Sequence, residues 1–123
     1  MKKSILNWIA AWLCAASLHA IEGIYDVKGY DPYEKKPYTG TIEITKDDND
    51  VYQAKWVLDV APSNYIGTGL KIKDQVSFIY QSIPEKIGGE VGLQIYMIEK
   101  DKLEGPFVYY KGALVGKETL TKK

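Results

Sequence analysis

The sequence predicts an all-β fold: an eight-stranded antiparallel meander curled into a small barrel, preceded by a cleaved signal helix. Three observations predict it. Short stretches rich in Tyr, Ile, Val and Thr alternate with period two, which is the spacing of side chains on a half-buried strand. Turn residues separate them, and most of the gaps are too short for anything but hairpins. After the first twenty residues no stretch carries a convincing helical period.

Eight strands are expected near 23–28, 38–46, 51–59, 65–72, 75–82, 92–99, 103–110 and 114–120. The second places Tyr38, Ile42 and Ile44 on one face and Thr39, Thr41, Glu43 and Thr45 on the other. The third repeats this with Tyr52, Ala54, Trp56 and Leu58 opposite Gln53, Lys55 and Asp59. One buried face and one wet face suit an antiparallel sheet. Asp47-Asp48-Asn49-Asp50 forms a turn because Asp and Asn tolerate left-handed backbone and bond their own chain. Lys73-Asp74, Lys100-Asp101-Lys102 and Lys111-Gly112 fill the same role. Two longer links, 29–37 and 83–89, belong at the mouth or floor of a closed sheet. Closure removes the unpaired edges that an open sheet of this size exposes. Pro106 lacks the N–H that a ladder requires, so a bulge, an edge or an imperfect seam is expected beside it. Glycines recur next to aromatics, as in Gly23-Ile24-Tyr25, Tyr38-Thr39-Gly40 and Tyr65-Ile66-Gly67. Such glycines mark coiling or close backbone approach that a neighbouring ring covers.

Residues 1–20 read as a signal peptide, and residues 21–123 as one barrel-like domain. Lys2 and Lys3 open the chain, an apolar run follows over 5–16, and small residues precede Ile21. The run is shorter than the roughly 20 apolar residues of a spanning helix, so no membrane span is expected after cleavage. The product is exported, periplasmic or secreted. Cleavage removes the only cysteine, Cys14, and with a cut after Ala20 the only histidine, His19; the chain has no arginine.

This subtraction excludes several chemistries. The body lacks Cys-His and Ser-His-Asp constellations and the usual nitrogen and sulfur ligands of zinc or copper. Neither a metal nor a cofactor is expected, and the acid-rich 47–50 turn is too compact for a calcium loop. Glu43, Glu90, Glu99, Glu104 and Glu118 remain as carboxylates, but they alternate with apolar residues or adjoin turns, as solvent-facing acids do. No catalytic residue is therefore assigned, and the domain is read as non-enzymatic. Fourteen body lysines face sixteen acids, a near-neutral balance that excludes a nucleic-acid surface.

Gly23-Ile24-Tyr25 at the first strand, the signal segment, the meander and Leu103-Glu104-Gly105-Pro106-Phe107 together resemble the calycin superfamily of lipocalin-like and avidin-like barrels. The pattern is also similar to small exported bacterial proteins of that build. Lipocalins usually carry Gly-x-Trp at the first strand with a late arginine over the ring, where this chain has Tyr25 and no arginine. The resemblance implies a cup whose interior holds a small apolar molecule.

Aromatic content carries the functional expectation. Tyr25, Tyr38, Tyr52, Trp56, Tyr65, Tyr80, Tyr96 and Phe107 are the candidate ligand-binding residues, each combining apolar area or a polar handle with an inward position. The same rings can instead fill the barrel, since about eight strands enclose little more than side chains. A filled interior is the preferred expectation. Tyr30, Tyr33, Tyr109 and Tyr110 fall outside that set, and Tyr30 and Tyr33 on the long first link point to a protein-binding surface. Two functions follow: a binding barrel for a small apolar ligand, or a protein-interaction module such as a secreted enzyme inhibitor. An outer-membrane barrel ranks below both, because several strands are shorter than a tilted span needs and Glu43, Lys55 and Lys71 interrupt the faces.

Overall fold

A computed structural model of the chain describes residues 20–83 and 89–123. Apart from Ala20, the expected signal segment lies outside the described residues, as do residues 84–88 of the second long link. Eight strands form: β1 (Gly23–Asp31), β2 (Lys36–Lys46), β3 (Tyr52–Leu58), β4 (Asn64–Ile72), β5 (Gln75–Ile83), β6 (Val91–Glu99), β7 (Lys102–Tyr109) and β8 (Val115–Lys122). Each pairs antiparallel with the next, and β8 returns to β1, from Tyr25↔Lys122 to Tyr30↔Lys117, so the sheet closes into a barrel.

All eight expected strands are present, and the expected alternation directs them. Tyr38, Ile42 and Ile44 of β2, and Tyr52, Ala54 and Trp56 of β3, point into the core while their neighbours face out. The first long link is shorter than expected. β1 runs on to Asp31 and β2 starts at Lys36, with Tyr30 opposite Pro37, because proline on the second strand is tolerated where its missing N–H faces away from the partner. The hairpin tips fall where turn residues predicted them: Asp50, Lys73, Asp101 and Lys111 adopt left-handed backbone, and Asp47 Oδ1 accepts the amides of Asn49 and Val51 at 2.8 and 3.1 Å.

The alternating strand direction gives the barrel two unlike ends. Links 47–51, 73–74 and 100–101 close one end tightly. There the side chain of Ile21 is buried, and Tyr25 Oη donates to the Ile21 carbonyl at 2.7 Å, drawing the N-terminal segment against the floor. The longer links 32–35, 59–63 and 110–114 gather at the other end, as do Gly89 and Glu90 before β6. Tyr33 joins two of them, its hydroxyl accepting the amides of Ala113 and Leu114 at 3.2 and 3.3 Å.

The expected imperfect seam lies between β6 and β7. Gln94 pairs with Phe107 and Met97 with Glu104, but the ladder lapses between them, where Pro106 has no N–H to donate. Gln94 repairs the gap. Its buried side-chain amide donates to the carbonyls of Ile95, Gly105 and Pro106, each at 3.1 Å. Gly105 is required there, since a Cβ would stand 2.0 Å from the Ile95 oxygen. Replacing Gln94 by leucine leaves those carbonyls without its donor and lowers stability by about 2 kcal/mol. Urea denaturation measures this, and an unchanged midpoint would show that the seam does not depend on the amide.

Candidate ligand-binding site

The barrel interior is largely filled by an edge-to-face network of rings. Trp56 meets Phe78 and Tyr80 at centroid distances of 5.9 and 6.0 Å, Tyr65 meets Tyr80 at 5.7 Å, and Phe107 meets Tyr38 and Tyr109 at 6.4 and 5.9 Å. Glycines on adjoining strands give these rings room. A Cβ on Gly29 would lie 2.0 Å from the Tyr38 ring, so Tyr38 lies flat over the first strand only because that position is bare.

At the centre sits a carboxylate. Glu118 of β8 is buried, and it accepts Tyr38 Oη at 2.6 Å, Tyr96 Oη at 2.5 Å and Trp56 Nε1 at 2.9 Å. Burial pushes its pKa above the usual carboxylate range, and the three hydrogen bonds pull against that shift. The same burial, reinforced by the Glu118 charge, raises the Tyr38 and Tyr96 phenols and keeps them protonated as donors. Toward the longer-linked end, Tyr65 donates to Glu90 Oε2. Glu90 is itself held by Ser82, whose backbone N–H donates to the Glu90 carbonyl at 2.9 Å and whose Oγ accepts the Glu90 amide at 3.1 Å.

A cavity of about 60 Å³ opens beside this network at the longer-linked end. Tyr38, Trp56, Tyr65, Tyr80, Phe107 and Tyr109 form its aromatic wall, Glu118 and Gln94 its floor, and Asp31, Glu90, Val60 and Ala61 its upper part. The Tyr80 hydroxyl packs over Gly92, where a Cβ would approach it to 2.3 Å, and is buried with no hydrogen-bond partner, alone in this among the described residues. Larger depressions, of about 840 and 570 Å³, lie on the outer wall around Pro106 and at the tight end around Ile21, outside the barrel interior.

All eight candidate residues point inward, but the structure divides them. Tyr38, Trp56, Tyr65, Tyr80 and Phe107 line the cavity. Tyr25 and Tyr52 are buried without lining it: Tyr25 sits on the Ile21 floor and Tyr52 at the tight-end start of β3. Tyr96 is fully buried against Glu118 and likewise does not line it. Two further expectations are corrected. Tyr109 is part of the inner wall, because it shares the parity of Leu103, Gly105 and Phe107 along β7. Glu118 and Glu90 are not solvent-facing acids like Glu43. Glu118 shares the inward parity of Gly116 and Leu120. Glu104 does face outward, where Lys102 and Lys117 approach it at 2.8 and 2.7 Å and hold its carboxyl down at about 2.

No protein-family description matches the chain, and no curated protein matches it in sequence. Solved structures do match its backbone. A redesigned β-barrel aligns with TM-score 0.71 at 13% identity, covering 89% of this chain and 95% of that one. A redesigned β-barrel bound to DFHBI aligns with TM-score 0.70 at 12% identity, covering 88% and 98%. A de novo designed fluorescence-activating β-barrel aligns with TM-score 0.64 at 14% identity, covering 87% and 97%. The likeness is one of fold. It spans nearly the whole of each of those barrels.

Proposed function

We propose that this domain is an exported, non-catalytic binding barrel that takes a small, largely apolar molecule at its longer-linked end. The observation that carries the reading is the cavity, where five of the eight candidate rings converge on a pocket that Glu118 and Gln94 also line. Aromatic walls with a few placed polar groups are the usual make-up of small-molecule sites. One neighbour of the same fold is bound to DFHBI, which supports a ligand-binding use of such a barrel. The calycin resemblance gains support from Lys122, whose Nζ lies 5.9 Å from the centre of the Tyr25 ring, where lipocalins place an arginine over a tryptophan.

The volume limits the occupant. Room for about two water molecules is far below the ~300 Å³ of sites that enclose a drug-sized ligand, so only part of the molecule enters and the rest lies at the mouth.

A second reading, as a protein-interaction module, is favoured by a different surface from the long links expected to carry it. The outer faces of β4, β5 and β6 carry Ile66, Leu70, Ile72, Ile79, Leu93 and Met97, with Leu70, Ile72 and Ile79 more than 60% exposed. Ile79 pairs directly with Leu93, which makes the patch continuous across strands. By contrast, Thr39, Thr41, Glu43 and Lys55 face out from β2 and β3. Large exposed apolar patches commonly mark protein contacts.

Native mass spectrometry of the chain expressed with its N-terminal segment and recovered from the exported compartment separates the readings. The expected result is a mass lacking residues 1–20 with a small molecule retained. A retained protein that is lost on Ile79→Lys supports the interaction module instead, and recovery of uncleaved chain from the cell interior refutes export.

A further inference from the structure

We propose that the cavity selects a small organic cation, seating the ammonium head of a primary or methylated amine against its carboxylates and rings. This inference rests on the cavity being a ligand site and names the chemistry of the ligand's buried end.

Charge is the first argument. Asp31, Glu90 and Glu118 line the cavity, and among the described residues no lysine does. An anionic head would meet three carboxylates with no compensating cation. Hydrogen-bond polarity is the second. The Tyr38, Tyr96 and Trp56 donors are spent on Glu118, the Tyr65 hydroxyl is spent on Glu90, and the Gln94 amide is spent on backbone carbonyls. What remains toward the cavity is carboxylate and phenol oxygens, which can accept from a donor head. An ammonium offers up to three donors and no acceptor, the complement of such a lining. A purely apolar head would leave Glu118 buried without a counter-charge.

The rings add a third argument that is independent of the acids. Tyr38, Trp56, Tyr65, Tyr80, Phe107 and Tyr109 surround the space, and the faces of aromatic rings attract cations, most strongly where water is excluded. A bare metal ion is a poor alternative, because among the described residues no three acids converge within ligating reach. The volume of about 60 Å³ suits a head of a few heavy atoms. Val60 and Ala61, on the 59–63 link, offer apolar surface to whatever projects from the mouth.

The test is a calorimetric titration of the purified exported protein with three probes of one shape: phenethylamine, 2-phenylethanol and phenylacetate, at pH 7. Phenethylamine is expected to bind at least tenfold more tightly than either of the others. Glu90→Gln, at the half-buried upper wall where the fold tolerates an isostere, is expected to weaken the amine at least fivefold and leave the alcohol unchanged. Equal or tighter binding of the alcohol or the acid overturns the cation inference while leaving the ligand site standing. Amine binding that survives Glu90→Gln undiminished overturns it too. Failure of all three probes to bind, with no molecule retained in the native mass spectrum, overturns both readings together.

Discussion

Replacing Trp56 by alanine is expected to lower stability by about 4 kcal/mol, the usual range for emptying a core of a large ring. Trp56 is 3% exposed, and it packs edge-to-face on Phe78 and Tyr80. Its six-membered ring also lies over Gly67, where a Cβ would approach to 2.9 Å, so no neighbouring side chain stands ready to fill the space. Trp56→Phe keeps most of this packing and loses the Nε1 bond to Glu118, and is expected to cost about 2 kcal/mol. Guanidinium denaturation of the two variants beside the native protein separates packing from hydrogen bonding. Equal losses would mean that the indole N–H, and not the ring volume, holds the wall together.

Glu118→Leu is expected to cost about 3 kcal/mol, for a different reason. Tyr38, Tyr96 and Trp56 each lose a buried acceptor, at about 1–3 kcal/mol per unmet donor. Relief from burying a carboxylate offsets part of that loss. Adding Tyr38→Phe and Tyr96→Phe to Glu118→Leu should therefore recover stability, because no hydroxyl is then orphaned. A triple variant weaker than the single one would show that the hydroxyls have other partners.

The same residue sets a pH dependence. Burial raises Glu118 above its ordinary 4.5, so the folded state holds the proton more tightly than the unfolded chain. Its stabilising contribution is then fully present below pH 4.5 and is lost as pH rises through the raised value. The stability gap between the native protein and Glu118→Gln should narrow from pH 4 toward pH 8 in urea titrations. A gap that widens with pH would mean that the three donors outweigh burial.

Strand number, turn positions and the β6–β7 seam were legible in the sequence because each depends on local chemistry. Period-two alternation states which face of β2 and β3 is apolar, Asp47 and Lys73-Asp74 state where the chain reverses, and Pro106 states where a ladder bond is missing. Tyr109 was legible in principle: continuing the Leu103, Gly105, Phe107 parity by one step turns it inward. Glu118 was harder to place. Val115 and Leu120 lie on opposite parities of β8, so the apolar residues alone assign no face, and an acid beside a lysine and a threonine looks wet.

The sequence by itself determined an eight-stranded meander with an aromatic inner face, since alternation, turn chemistry and ring content are properties of short segments. Only the tertiary structure decided which rings share a space and what lies at their centre. Tyr38, Trp56 and Tyr96 reach Glu118 across 80, 62 and 22 residues of chain. The closure of β1 on β8 brings Tyr38, on the neighbour of β1, to the same carboxylate. A single acid can satisfy three donors from three strands only when a closed sheet curls them around one axis. That curvature is a property of the whole barrel and of no segment within it.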